Sequence, residues 1–299
     1  MIHMKKALSF LTAAGVAVSA LASVYAQEGP ITIISREDGS GTRTAFVEIV
    51  GVVDENGDDM TTLDASIQNQ TSGVIQAVSN DPSGIGYISL GSLDESVKAL
   101  KVDGVEATAE NINAGDYAIA RPFNVAWGEE LSATAEDFLS FIHSKQGQTL
   151  VEEEGFIAVA PSKEGEEDKA EEGASVIDSL EEYTPGEDLE ETLEVVGSTS
   201  VAPIMERLAE EYKALTGVTV NIQATGSSAG IQAAQEGTAD LGMASRALTE
   251  EEAETLNYDR IAMDGIAVVV NNENELEDIS IENVRKIFLG EILNWEDVK

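Results

Sequence analysis

Apolar positions along this chain follow two periods in alternation. Strand-like runs rich in apolar residues at 31–34, 84–90, 97–102, 193–196, 218–224, 240–244 and 261–270 predict strands. Between them, apolar residues recur every three or four positions. This spacing predicts helices over 41–50 with Phe46 and Ile49 inward, 72–78, 135–143, 147–154 and 201–216. The last carries Ile204, Met205, Leu208, Tyr212 and Leu215 on one face and stops at Gly217. One more helix follows Gly226-Ser227-Ser228-Ala229-Gly230 and carries Ala233 and Ala234. Another is capped by Ser280, bears Val284, Ile287 and Phe288, and ends at Gly290. Strands alternating with helices predict an α/β fold.

Two stretches depart from this rhythm. Residues 117–122 are extended and restricted by Pro122, which suits a crossing between lobes. Residues 162–189 are rich in Glu and Asp with little to bury, and read as an acidic, solvated linker. The chain is long enough for two lobes rather than one core.

Composition narrows the function. Lys5 and Lys6 precede an apolar run from Ala7 to Ala22 and then Val24-Tyr25-Ala26, the pattern of a cleavable signal over residues 1–26. A periplasmic or secreted protein is expected. The absence of Cys excludes disulfides, thiolate metal sites and a lipid-modified N-terminal Cys. The formal charge is -39, and losing Lys5 and Lys6 with the signal would deepen it by two. Such a surface excludes nucleic-acid binding and repels anions at long range. The two His, His3 and His143, make a His triad or zinc site improbable, and His143 reads as a helix-surface residue.

An anion site in such a chain must work through local groups. Three turns between a predicted strand and a predicted helix carry hydroxyls: Ser40-Gly41-Thr42, Gly197-Ser198-Thr199-Ser200 and Gly226-Ser227-Ser228-Ala229-Gly230. Taken singly, each is also an ordinary N-cap or tight turn. Together they offer helix N-termini and hydroxyl donors without a nucleotide-binding signature, which suits a small tetrahedral oxyanion. Arg36 can add a bidentate guanidinium, with Asp38 expected to orient it. No metal or cofactor is expected.

The segments Ser35-Arg36-Glu37-Asp38-Gly39-Ser40-Gly41-Thr42-Arg43-Thr44, Gly197-Ser198-Thr199-Ser200-Val201-Ala202-Pro203, Thr238-Ala239-Asp240-Leu241-Gly242-Met243-Ala244-Ser245-Arg246 and Ile287-Phe288-Leu289-Gly290-Glu291-Ile292-Leu293-Asn294-Trp295 closely resemble the phosphate-binding proteins of bacterial phosphate ABC importers. Nearly all of the chain outside residues 1–26 and the linker shares in the resemblance, but its two halves stand in reversed order, as in a circular permutation or a truncated tandem array.

The resemblance implies a two-lobe, type II-like Venus-flytrap fold of the periplasmic binding proteins, circularly permuted. One lobe would combine 27–116 with 271–299 and the other 118–161 with 190–270, with crossings near Tyr117 and Asn271 and residues 162–189 joining the former ends. It implies phosphate contacts at Arg36, Ser40, Gly41, Thr42, Thr199, Ser200, Ser227 and Ser245, with Asp38, Ser228, Arg246 and Asp264 in support. In some members a carboxylate at the position of Ser245 accepts the phosphate proton. Here Ser245-Arg246 stand instead, and Asp264 is the expected acceptor or else a partner of Arg246. The implied protein is a monomer that delivers phosphate to a membrane permease and is not an enzyme. A secreted phosphate-ester hydrolase is the alternative from another class, but the chain lacks the His cluster, Cys or dense Asp/His metal site that such chemistry usually uses. A non-transporting phosphate sensor or scavenger is the third reading.

Overall fold

The computed structural model describes residues 28–161 and 176–298. The expected signal and the start of the linker lie outside these residues. In chain order the elements are β1 (Thr32–Arg36), α1 (Gly41–Val50), β2 (Ser66–Gln68), α2 (Thr71–Ser79), β3 (Gly84–Ser89), β4 (Val97–Ala99), β5 (Lys101–Val102), α3 (Ala109–Asn113), β6 (Ala120–Trp127), α4 (Ala133–Ile142) and α5 (Lys145–Glu153). They continue with β7 (Thr192–Gly197), α6 (Ala202–Thr216), β8 (Thr219–Ala224), α7 (Ser227–Glu236), β9 (Leu241–Ala244), α8 (Glu250–Thr255), β10 (Asn257–Asn271), β11 (Asp278–Ile279) and α9 (Ile281–Phe288).

The main sheet runs β2-β1-β3-β10-β6-β9-β7-β8, with β4 also on β10. Strand β10 is 15 residues long and belongs to both halves. Its first part pairs antiparallel with β6, with Asp264 opposite Arg121 and Gly265 opposite Ala120. Its second part pairs with β3 from Ile266 onward.

Two large apolar cores flank this changeover. Lobe A buries Phe123, Val125, Phe138, Phe141, Ile204, Leu208, Tyr212, Met243 and Ile261. Lobe B buries Phe46, Tyr87, Tyr117, Ile119, Ile266, Val268, Val270, Ile287 and Phe288. The two-lobe α/β expectation holds, and the second changeover falls earlier than Asn271. Tyr117 and Ile119 already belong to the lobe B core, and so do Ile266, Val268 and Val270. The two cores meet along the chain at Ala120–Arg121, inside the 117–122 stretch expected to cross, and at Asp264–Gly265, ahead of Asn271. The apolar run from 261 to 270 gives no sign of where it leaves one core for the other.

The acidic segment also departs from expectation in its second half. Ile177 is buried, Leu189 packs on the lobe A core, and the Tyr183 ring lies against Phe141 and Tyr212. Both tyrosine hydroxyls donate to Asp137. Three apolar side chains spaced through an acidic stretch anchor it, which mean composition conceals. His143 is not a free surface residue either, because its Nε2 lies 3.1 Å from Asp259 Oδ2.

Residues 29–31 and 293–296 lie side by side. Ile31 N donates to Leu293 O at 2.8 Å, Trp295 N to Gly29 O at 2.9 Å, and Gly29 N to Glu296 Oε2 at 2.8 Å. Among the described residues no helix is long and apolar enough to cross a membrane.

Candidate functional site

Four helices begin at the junction of the lobes: α1 and α2 from lobe B, α6 and α7 from lobe A. Each follows a strand of the parallel parts of the sheet, so its N-terminus falls at the strand's carboxyl end. Open α/β sheets bind ligands there. Gly230 and Gly242 set the depth of α7. A Cβ on Gly242 would meet Gly230 O at 2.3 Å, so only glycines let this helix lie directly on the sheet.

The hydroxyls at these helix starts join across the two lobes. Thr42 Oγ1 lies 2.8 Å from Ser200 Oγ, and Thr71 Oγ1 lies 3.2 Å from the same atom. Within lobe A, Ser198 Oγ donates to Ser245 Oγ at 2.9 Å, and Ser245 N donates to Ser227 Oγ at 3.1 Å. Ser228 N donates to Gly39 O at 3.1 Å, a backbone tie between the lobes. Gly41 lies so close to lobe A that a Cβ there would stand 2.3 Å from Ser227 Oγ and 2.8 Å from Ser245 Oγ. Ser40 caps α1 by accepting from Arg43 N.

Arg36 is 1% exposed. Its Nη2 reaches across to Thr199 Oγ1 at 2.9 Å, and its Nη1 donates to Thr71 Oγ1 at 3.2 Å. A fork to Glu37, with Nε to Oε2 at 2.8 Å and Nη2 to Oε1 at 2.9 Å, fixes its plane. Tyr87 stacks on Phe46 at 3.9 Å, and its hydroxyl accepts from Arg36 N and bonds Ser35 Oγ. Burial pushes the Tyr87 phenol up to about 12, so it stays neutral at physiological pH.

Arg36, Ser40, Gly41, Thr42, Thr199, Ser200, Ser227, Ser228 and Ser245 thus lie together at the junction. The other three supporting residues fall differently. Asp38 does not orient Arg36. It is exposed and pairs with Arg43 at 2.8 Å, while the adjacent Glu37 takes the Nε and Nη2 edge of the Arg36 guanidinium. Asp264 does not pair with Arg246. It is fully buried against Arg121, accepting at Oδ2 from Nε at 3.1 Å and Nη2 at 2.9 Å. Burial pushes the Asp264 carboxyl above the ordinary carboxylate range, with the guanidinium pulling against it.

Arg246 turns away from the hydroxyl cluster and forks onto Glu252, at 2.7 and 2.8 Å. Glu252 also closes the capping box of α8 with Thr249. Burial opposes its charge, but hydrogen bonds from Arg246 and Thr249 prevail and hold the carboxyl below its ordinary value. A carboxyl lowered in the fold stabilises it above the unfolded pKa and loses that contribution as pH falls through the folded one. Glu252→Gln should therefore cost ~1–2 kcal/mol at pH 7 and progressively less toward pH 3. Urea unfolding at both pH values checks this, and an equal loss at both would dismiss the charged pair as the cause.

Three further residues contribute to this junction. Thr71 stands one residue ahead of the helix predicted from Ser72. Glu37 stands beside Asp38, and local sequence does not distinguish the two carboxylates. Arg121 carried a legible signal, a charge next to Pro122 in an otherwise apolar extended stretch. Among the described residues no group of three or more His, Cys, Asp or Glu is placed to hold a metal ion.

This arrangement brings four helix N-termini, a ring of hydroxyls and one fixed guanidinium to a single point between two lobes. Such groups donate hydrogen bonds to an oxyanion without a diffuse positive field. Comparisons with known proteins agree with that chemistry. The model of the PBP superfamily domain matches residues 11–146 and 170–299. The phosphate-binding protein PstS 2 of Streptococcus pneumoniae serotype 4 is 48% identical over 282 residues, 93% of this chain and 91% of that one. A PstS 2 of Streptococcus agalactiae serotype V is 43% identical, over 92% of this chain and 90% of its own. A crystal structure of a phosphate ABC transporter's phosphate-binding protein from S. pneumoniae TIGR4 superimposes with a TM-score of 0.69 at 47% identity, covering 91% of this chain and all of that one.

Proposed function

The chain belongs to the PBP superfamily and, within it, to the family of the phosphate-binding proteins PstS, and we propose from that premise that it captures inorganic phosphate between its lobes and hands it to the permease of an ABC importer. The observation that carries this is the cross-lobe contact of Arg36 with Thr199 and of Thr42 with Ser200. Each joins donors from opposite lobes beside the helix starts, as a cleft that closes on a small anion requires. Thr42, Thr199, Ser200, Ser227, Ser245 and Arg36 supply the contacts in this reading, with Gly41 allowing close approach.

Hydroxyls accept as well as donate, so a phosphate that keeps a proton finds partners that suit it better than fully ionised sulfate. Asp264 enters the reading as the partner of Arg121 rather than as the acceptor of that proton. The permuted order is part of the proposal, supported by the hydrogen bonds between residues 29–31 and 293–296. So are the cleavable signal, the extracytoplasmic location and the monomeric state.

Calorimetry with phosphate and sulfate tests the reading. One phosphate should bind per chain, with at least a tenfold preference over sulfate, about 1.4 kcal/mol. Equal affinity for the two anions would sink it.

A further inference from the structure

We propose that Arg121 and Asp264 form a positioning pair for the anion site, carried on the two strands that pass from one lobe to the other; this rests on the phosphate-binding reading above. Arg121 stands near the start of β6 and Asp264 within β10, and they are direct cross-strand partners. The pair sits where the two cores meet, with Phe123 and Ile261 on one side and Ile119 and Ile266 on the other. Both side chains are out of water, at 1% and 0% exposure.

A charge pair between two apolar cores is costly to desolvate, and apolar residues of similar size would pack there as well or better. What the ion pair adds is direction. Asp264 holds the Nε and Nη2 edge of the guanidinium, which leaves Nη1 aimed at Ser245, whose carbonyl accepts from it at 3.0 Å. Ser245, together with Ser227, is where lobe A meets Gly41 of lobe B. Its N–H is held by Ser227 and its hydroxyl by Ser198, so Arg121 completes its fixation from the hinge side. Rotation of the lobes about β6 and β10 must act at Arg121 and Asp264, and the pair transmits it to Ser245. Neither residue touches the anion in this scheme. They place a residue that does.

The test uses the whole chain, with phosphate titrated by calorimetry and release followed by stopped flow. Asp264→Asn alone would strand a buried guanidinium and risks misfolding. The decisive variant is therefore the double Arg121→Met, Asp264→Leu, which removes both charges at similar volume. It is expected to melt near wild type without phosphate, to bind phosphate at least tenfold more weakly, and to release it faster. Arg121→Lys keeps the charge but not the fork, and should weaken binding several-fold at unchanged ligand-free melting temperature. It decides the matter if the double variant does not fold.

Wild-type affinity in the double variant, or in Arg121→Lys where that variant decides, would overturn the inference and leave the pair a structural feature. Wild-type chain measured alongside separates this from the reading beneath it. If wild type itself binds no phosphate, the functional proposal has failed, not the positioning of Ser245.

Discussion

Arg36→Ala should weaken phosphate binding by roughly 30- to 1,000-fold, about 2–4 kcal/mol. Three losses act together. A charge-assisted donor disappears from the place where the lobes meet, the cross-lobe bond to Thr199 goes with it, and Glu37 loses the cation that neutralises it. The last matters because an uncompensated carboxylate at the cleft repels the ligand. Glu37→Gln separates the contributions. It leaves the guanidinium in place with a weaker anchor, so it should cost less than Arg36→Ala. Titration of both variants by calorimetry gives the comparison. An unchanged dissociation constant for Arg36→Ala would mean that the guanidinium serves the fold alone.

The residues that build this cleft were legible because each announces itself locally. A hydroxyl on a Gly-containing turn between a strand and a helix is a local pattern, and Ser40, Thr42, Thr199, Ser200 and Ser227 all carry it. Strand and helix periods placed β1, α1, β7, α6 and β9 close to where they lie. The short β2, α3 and β11 were not seen, since two to five residues give no period to detect.

Pairings of charges were the least legible. Asp38 and Glu37 are neighbours, and only side-chain direction decides which of them meets Arg36. Whether Asp264 meets Arg246 or Arg121 depends on the register of β6 against β10, with a shift between Arg260 and Ala262. No property of the isolated strands fixes that. The lobe boundary within β10 was hidden for the same reason, because buried residues on either side of it look alike in sequence.

Gly41→Ala isolates closure from folding. At the start of α1 an alanine is the better helix former, so the variant should be at least as stable as wild type without ligand. In the closed arrangement the new Cβ would stand 2.3 Å from Ser227 Oγ, 2.9 Å from Ser227 Cβ and 2.8 Å from Ser245 Oγ. Turning the Ser227 hydroxyl aside would surrender its bond from Ser245 N and still leave the two other close approaches. The remaining route is for the lobes to stand apart by roughly an ångström, the gap needed to restore ordinary contact. That separation stretches Thr42–Ser200 and Arg36–Thr199 beyond hydrogen-bonding range, since both bonds span the lobes. Phosphate affinity should therefore fall about a hundredfold or more while the ligand-free melting temperature holds or rises. Small-angle scattering with saturating phosphate should show the variant less compact than wild type. Wild-type affinity in Gly41→Ala would mean that the lobes hold the anion without approaching as closely as Gly41 and Ser227 do here.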